Sequence, residues 1–336
     1  MATRSSSSQP AVAVRGLERA FKGGIKAVDG LDLEVPEGEI YGFLGPNGAG
    51  KTTTVRILVT LLRPTGGEAR VAGHDVVSEA DAVRRNIGVA LQEAAIDPLM
   101  SGVELLRMQG ALHGMRGSQA RGRATELLER VGLTDAGGRR VGQYSGGMRR
   151  RLDLAMALVH RPKVLFLDEP TTGLDPTSRN ALWREVRGLN DDGTTVFLTT
   201  QYLEEAEQLA DRVGIIAGGG LVAEGTPAEL KSRVGEPTLH VDLAEGADVP
   251  AAREALSAVG PLVDCRDDAR VAIRAARGKA TVPIAIRALD DAGIAVESVE
   301  VVSPTLDDVF AAVTGSTLEG AGDAGAADDE VAGVGA

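Results

Sequence analysis

Between Gly45 and Thr53 the chain reads GPNGAGKTT, three glycines followed by a lysine and two hydroxyls. Residues of these types at this spacing suit a phosphate chain. Gly45, Gly48 and Gly50 let the backbone curl until its N–H groups point at phosphate oxygens, and Pro46, Asn47 and Ala49 complete the loop. The apolar run IYGFL stands before it and the helical pattern TTVRILVTLL begins at Thr53. In that strand–loop–helix setting the helix N-terminus adds positive potential, Lys51 reaches the β- and γ-phosphates, and Thr52 ligates Mg²⁺. The chemistry implied is the binding of a magnesium nucleotide.

Two further stretches carry groups that a phosphate site needs. VLFLDEP, Val164–Pro170, is an apolar strand ending in two adjacent acids. Neighbouring side chains on a strand point in opposite directions, so Asp168 and Glu169 have different work. Asp168 suits a contact to the metal, and Glu169 suits a carboxylate that orients or deprotonates an attacking water. In YSGGMRRRLDLAMALVH, Tyr144–His160, Ser145 caps a helix whose apolar face is Met148, Leu152, Ala155 and Val159. Gly146 and Gly147 cost helix stability in that first turn, but they let a phosphate approach the backbone, which makes a second anion site.

The elements that must hold these groups follow from periodicity. Short apolar runs bounded by glycine alternate with helical patterns, which predicts an α/β fold with a parallel sheet covered by helices. The candidate strands are Ile40–Leu44, Ile87–Leu91, Val164–Leu167 and Val196–Leu198. Residues from about 95 to 160 are mostly helical and rich in arginine, an inserted helical subdomain. GIIAGGGLVAEG reads as a hairpin turning at Gly218–Gly220, and a helix start follows at Thr226–Glu229. From Glu236 the order becomes strand (Leu239–Leu243), helix (Pro250–Ala258), strands near Val263 and Val271, helix (Val282–Ala292) and strand (Ala295–Val302). That βαββαβ order predicts a small α+β domain of ferredoxin-like type over 236–315. The serine-rich residues 1–10 and the Gly/Ala-rich, acidic residues 316–336 read as disordered ends, leaving 11–235 as the nucleotide-binding domain.

Composition narrows the class. The formal net charge is −12, which argues against a basic field for nucleic acid. A single cysteine, Cys265, excludes an intrachain disulfide and reads as a small buried hydrophobe. His74, His113, His160 and His240 lack metal-ligand spacing and read as structural or surface residues. No uncharged run exceeds 11 residues, against the roughly 20 that a membrane-spanning helix needs. The run Arg149–Arg151 reads as a solvated helix face.

The ordered set of P-loop, YSGGM and LFLDEPTTGLDP resembles the nucleotide-binding subunit of an ATP-binding cassette (ABC) transporter, over residues 11–235. The resemblance implies an ATP-hydrolysing homodimer. Ser145–Gly147 of one subunit would bind the γ-phosphate of ATP held by the other subunit's P-loop. Gln92, closing IGVALQ, would be the Q-loop glutamine beside Mg²⁺, Asp175 the D-loop aspartate at the dimer interface, and Phe21 the aromatic stacked on adenine. FLGPNGAGKTT, YSGGMRRRLDLA, DEPTTGLDPTSRN, LTTQYLEEAEQLADR and LDDVFAAVTG are together similar to the daunorubicin-resistance type of bacterial drug-export ATPase. Such subunits work with a separate membrane permease, which implies a peripheral protein on the cytoplasmic face of the cell membrane. The alternatives are a soluble ABC ATPase of translation or DNA repair, whose second cassette or coiled-coil insertion is not seen here, and an importer ATPase, which LDDVFAAVTG disfavours.

Gln201 stands where most ABC ATPases place a histidine. An amide can donate to a phosphate oxygen and accept from a water, but it cannot become cationic. It is expected to position groups without titrating.

Overall fold

A computed structural model describes residues 9–91, 96–263 and 270–315. Gln92 and Cys265 lie outside the described residues, as do most of the expected leader and the whole of the expected tail. The chain divides into two units, the first ending at Pro227 and the second beginning at Ala228.

In the first unit the chain runs through β1 (Val12–Ala20), β2 (Lys26–Val35), β3 (Ile40–Leu44), α1 (Lys51–Leu58), β4 (Gly66–Val71), β5 (His74–Asp75), α2 (Ala80–Asn86) and β6 (Ile87–Ala90). The helical segment follows as α3 (Gly102–Leu112), α4 (Gly117–Arg130) and α5 (Gly146–Ala157). The chain returns through β7 (Val164–Asp168), α6 (Pro176–Asp191), β8 (Thr195–Thr200), α7 (Leu203–Leu209) and the hairpin of β9 (Arg212–Ala217) and β10 (Gly220–Gly225).

A six-stranded sheet has the order β10-β9-β3-β8-β7-β6, parallel from β9 to β6. A parallel sheet is covered on both faces, and alternation along its central strands shows how. Ile40, Leu165, Leu167, Val196 and Leu198 point into a core shared with the helical segment and α6. Tyr41, Phe43, Val164, Phe166 and Phe197 point the other way, into a core shared with β1, β2 and α1. Three aromatic rings, of Tyr41, Phe43 and Phe166, each stand 5.5 Å from the ring of Phe197. In a chain with 3% aromatic residues, that packs a scarce resource behind the ends of β3 and β7, where the site lies.

The antiparallel sheet β2-β1-β4-β5 was not anticipated from the sequence. Its strands carry register shifts, as between Val14 and Leu17, and these break the two-residue alternation that would announce them. Strand β8 is longer than its apolar core: Thr195, Thr199 and Thr200 extend it at both ends, all buried. The hairpin turns through Gly218 (φ 57°) and Gly219 (φ 86°), the positive pair that a two-residue turn of matching twist needs.

The second unit carries α8 (Pro227–Val234, which begins one residue before it), β11 (Thr238–Leu243), α9 (Val249–Ser257), β12 (Leu262–Val263), β13 (Arg270–Arg274), α10 (Val282–Asp291), β14 (Val296–Val302) and α11 (Leu306–Thr314). Its sheet order is β12-β13-β11-β14, antiparallel throughout, the arrangement of a ferredoxin-like domain. Leu239, Val241 and Leu243 pack with Ala252 and Leu256 of α9 and with Ala285 and Leu289 of α10.

Candidate active site

Strand β3 delivers the loop Gly45–Gly50 to the C-terminal edge of the parallel sheet, where open α/β folds place their ligands. The loop has no room for side chains at its ends. A Cβ on Gly45 would stand 2.5 Å from the Ile216 carbonyl oxygen, and one on Gly50, at φ 107°, 2.2 Å from that of Ala27. Gly50 also caps α1 without a side-chain bond, so the first N–H groups of the helix are left for a ligand.

Lys51, 4% exposed, folds over the loop. Its Nζ donates to the Gly45 carbonyl at 2.6 Å and the Pro46 carbonyl at 3.1 Å, and lies 3.7 Å from Glu169 Oε1. Burial lowers its pKa, and the charges of Glu169 and Asp168 oppose that shift. Thr52 Oγ1 stands 3.4 Å from Asp168 Oδ1, bringing a hydroxyl and a carboxylate from β7 together beside the loop.

The neighbouring strand completes the acid pair. Asp168 and Thr199 are partners in the β7–β8 register, and the Thr199 hydroxyl donates to Asp168 Oδ1 at 2.5 Å. The same hydroxyl accepts from the Glu169 N–H at 3.1 Å. Glu169 adopts φ 48°, a left-handed conformation uncommon for a residue with a side chain, and is buried. Thr200, next in β8, receives the Gly45 N–H on its carbonyl at 3.4 Å. Gln201 follows at once, half-buried in a bend, with no side-chain hydrogen bond to any described residue.

The second glycine motif lies on the helical segment. Ser145 caps α5, accepting from the Met148 N–H at 3.2 Å, and is exposed together with Gly146. Gly147 is buried against α6: a Cβ there would meet Ser178 Oγ at 2.6 Å. Asp175 caps α6, accepting from the Ser178 N–H at 2.9 Å and its hydroxyl at 2.6 Å. Those bonds hold its carboxyl below the usual range. Tyr144 is buried, and its hydroxyl donates to the Ala136 carbonyl at 2.7 Å, tying the motif's first residue to the helical segment. Phe21, 41% exposed, carries the Arg19 guanidinium 4.8 Å from its ring centre.

Thus Gly45–Thr53, Asp168, Glu169 and the end of β8 converge, and Gly147 meets Ser178, the residue that the α6 cap Asp175 binds. No hydrogen bond among the described residues joins Ser145–Gly147 to the P-loop of the same chain. A cleft of about 520 Å³ has Gly146, Arg149 and Glu169 in its wall. Thr199 was missed in the sequence; its signal is the pair of threonines ending a buried strand that must lie beside the acidic strand end. The arginine run is only partly a solvated face: Arg149 is exposed, Arg151 donates to the Val131 carbonyl at 3.0 Å, and Arg150 turns inward. Of the histidines, His113 and His160 stack at 3.9 Å, and burial lowers the pKa of both. No group of three His, Cys, Asp or Glu side chains among the described residues is placed to hold a metal.

A glycine-framed loop with a buried lysine, two acids at the end of a central parallel strand and an inserted helical segment define an ABC-type ATPase. Comparison with known proteins agrees. The ABC transporter family model matches residues 28–172, and that of the C-terminal domain of the ATP-binding proteins DrrA1-3 matches residues 225–314. Daunorubicin resistance ATP-binding protein DrrA3 of Streptomyces coeruleorubidus is 52% identical, over 91% of this chain and 96% of its own. The daunorubicin/doxorubicin resistance protein DrrA of Streptomyces peucetius is 49% identical over 95% and 97%. Linearmycin resistance ATP-binding protein LnrL of Bacillus subtilis is 36% identical over 87% and 94%. Among solved structures, the dimeric post-hydrolysis state of the cassette MJ0796 bound to ADP and Pi aligns with a TM-score of 0.59 at 28% identity, over 64% of this chain and 98% of that one. The chain belongs to the ATP-binding subunits of ABC transporters, in the family of the daunorubicin-resistance ATP-binding proteins. It is the ATP-hydrolysing subunit of an ABC exporter. No helix among the described residues is long and apolar enough to cross a membrane.

Proposed function

We propose that two copies of this chain close face to face on two magnesium–ATP complexes and drive a separate permease that exports a hydrophobic natural product or drug. The observation that carries the dimer is the placement of the two anion sites. The P-loop N–H groups and the exposed turn at Ser145–Gly146 both suit phosphate, yet no hydrogen bond among the described residues links them within one chain. A second copy would bring its own turn to this P-loop, and the related cassette MJ0796 is a dimer in its post-hydrolysis state with ADP and Pi.

In this reading Gly45–Thr53 cradles the phosphates, and Lys51 moves its donors from the loop carbonyls to phosphate oxygens. The loop and donor set fit the metal: one hydroxyl, Thr52, and one carboxylate, Asp168, suit an ion that takes its remaining ligands from phosphate and water. Gln92 stands in the same group by resemblance. Mg²⁺, when bound, neutralises charge on the phosphates. Glu169 orients the attacking water as its base, Gln201 positions the γ-phosphate, Phe21 stacks on adenine with the face not covered by Arg19, and Asp175 lies at the interface between copies.

The relatives are named for resistance to daunorubicin, doxorubicin and linearmycin, which supports the cargo class. An apolar cleft of about 420 Å³, with Val59, Leu61, Leu91 and Met156 in its wall and Leu61 63% exposed, supports a membrane-protein partner on the cytoplasmic face. Sedimentation of Glu169→Gln with and without Mg·ATP tests the dimer: a nucleotide-independent monomer at micromolar concentration would count against it. Retention on membranes that lack the permease would count against the peripheral, permease-dependent attachment.

A further inference from the structure

Arg150 has 12% of its side chain exposed and makes three hydrogen bonds to backbone carbonyls. Nε donates to the Pro170 carbonyl at 2.9 Å, Nη2 to the Asp168 carbonyl at 2.9 Å, and Nη1 to the Leu91 carbonyl at 2.7 Å. Nη1 also reaches Asp153 Oδ2 at 3.3 Å. Two of those carbonyls belong to the residues immediately before and after Glu169. The planes held are those of the Asp168–Glu169 and Pro170–Thr171 peptides, and between them stand only the left-handed Glu169 and Pro170, whose ring fixes its own φ. The third carbonyl belongs to the last described residue before Gln92. The guanidinium itself rides on α5, whose N-terminus presents Ser145–Gly147.

We propose that Arg150 is a positioning residue for Glu169. Its planar fork clamps the peptides on either side of the Glu169–Pro170 pair and ties their orientation to the placement of the helix that carries the second anion site. This rests on the reading of Glu169 as the acid that orients the attacking water. The residue type is part of the argument. Guanidinium offers five donors in one plane, matched to carbonyls approaching from separate directions, whereas an ammonium is a point charge with three. A cation for Asp153 alone would be supplied equally well by lysine. Holding α5 in place does not need Arg150 either, since Leu152, Leu154 and Ala155 of that helix are already in the core.

Arg150→Lys keeps a cation beside Asp153 and so tests the fork rather than the charge. The double variant Arg150→Gln/Asp153→Asn removes both charges together and tests the same point in a neutral background. For the purified full chain the measurements are single-turnover hydrolysis of Mg·ATP, nucleotide affinity, and the fraction of sites that bind nucleotide. Turnover per binding site is expected to fall about tenfold to a hundredfold in both variants, the scale of a small misplacement at a reacting centre. Affinity and binding fraction should stay at the wild-type level. Wild-type turnover per site in Arg150→Lys, beside an inactive Glu169→Gln, would overturn the proposal and leave the role of Glu169 standing. A loss of binding fraction that accounts for the whole loss of turnover would also overturn it, leaving Arg150 as a fold residue. Normal turnover by Glu169→Gln would instead remove the reading on which the proposal rests.

Discussion

Lys51 Nζ and Glu169 Oε1 lie 3.7 Å apart with both side chains more than nine-tenths buried, so the residue that closes the phosphate loop and the acid that follows β7 share one charge contact. Phosphate must compete with that carboxylate for the ammonium. Lys51→Ala should therefore lose ATP binding. Glu169→Gln should bind ATP at least as tightly as wild type and lose turnover by about two to three orders of magnitude, the scale of a lost transition-state contact. Nucleotide affinity and single-turnover hydrolysis separate the two effects. Substantial turnover by Glu169→Gln would remove it from the role of base.

Thr199 joins both acids through one oxygen. Thr199→Val keeps the shape but removes the donor to Asp168 and one acceptor for the Glu169 N–H. The expected cost is about 1–3 kcal/mol of stability for the buried groups left short, with a fall in turnover. Thr199→Ser should retain both. Denaturant unfolding and a turnover assay on the pair check this; equal behaviour of valine and serine would make the hydroxyl incidental.

Gln201→Ala should lose most steady-state ATPase activity, about 10²–10³ in rate, while Gln201→His should retain it. Histidine adds a titrating group, so its rate should acquire a pH dependence between about 6 and 8 that wild type lacks. The half-buried amide has no hydrogen bond to a described residue to surrender, which leaves it available to a phosphate oxygen. If the alanine variant matches wild type across that pH range at saturating ATP, Gln201 has no catalytic part.

Glu39, at the opposite end of β3, offers a pH test independent of catalysis. Burial pushes its carboxyl up to about 7, against the attraction of Arg212. A carboxyl whose folded pKa is raised binds its proton more tightly in the native state. Its contribution to stability is thus present at low pH and is lost as pH rises from about 4.5 through about 7. Glu39→Gln should leave stability near pH 4.5 almost unchanged and raise it at pH 8 by at most about 3 kcal/mol. Arg212 keeps Glu224 as a partner at 2.6 Å, so the substitution strands no cation. Unfolding midpoints across the range measure it; an unchanged slope would show that Glu39 is ionised as usual.

The phosphate loop and the acidic strand end were legible because chemistry there fixes residue type position by position. Strand limits were legible only through apolar content, so β7 and β8 were read short at Asp168 and at Thr195, Thr199 and Thr200, polar residues buried by their partners across the sheet. Arg150 was illegible for a related reason. Three arginines in a row look alike in sequence, and the apolar stripe through Leu152 and Ala155 points away from Arg150, which lies on the opposite face of α5 with the also buried Asp153, Leu154 and Ala157. The antiparallel sheet was hidden by bulges, whereas the later βαββαβ unit, with regular alternation in Leu239, Val241 and Leu243, was not.

The left-handed backbone at Glu169 has a consequence for how this chain could decay. That conformation costs an ordinary residue roughly 1–2 kcal/mol, whereas glycine adopts it freely and asparagine tolerates it. Replacement of Glu169 by glycine or asparagine should therefore spare the chain that strain. That relief stands against the loss of the buried charge contact between Glu169 and Lys51 at 3.7 Å. On the proposed reading of Glu169 as the acid that orients the attacking water, the demand for turnover holds it in place against the strain of its own backbone.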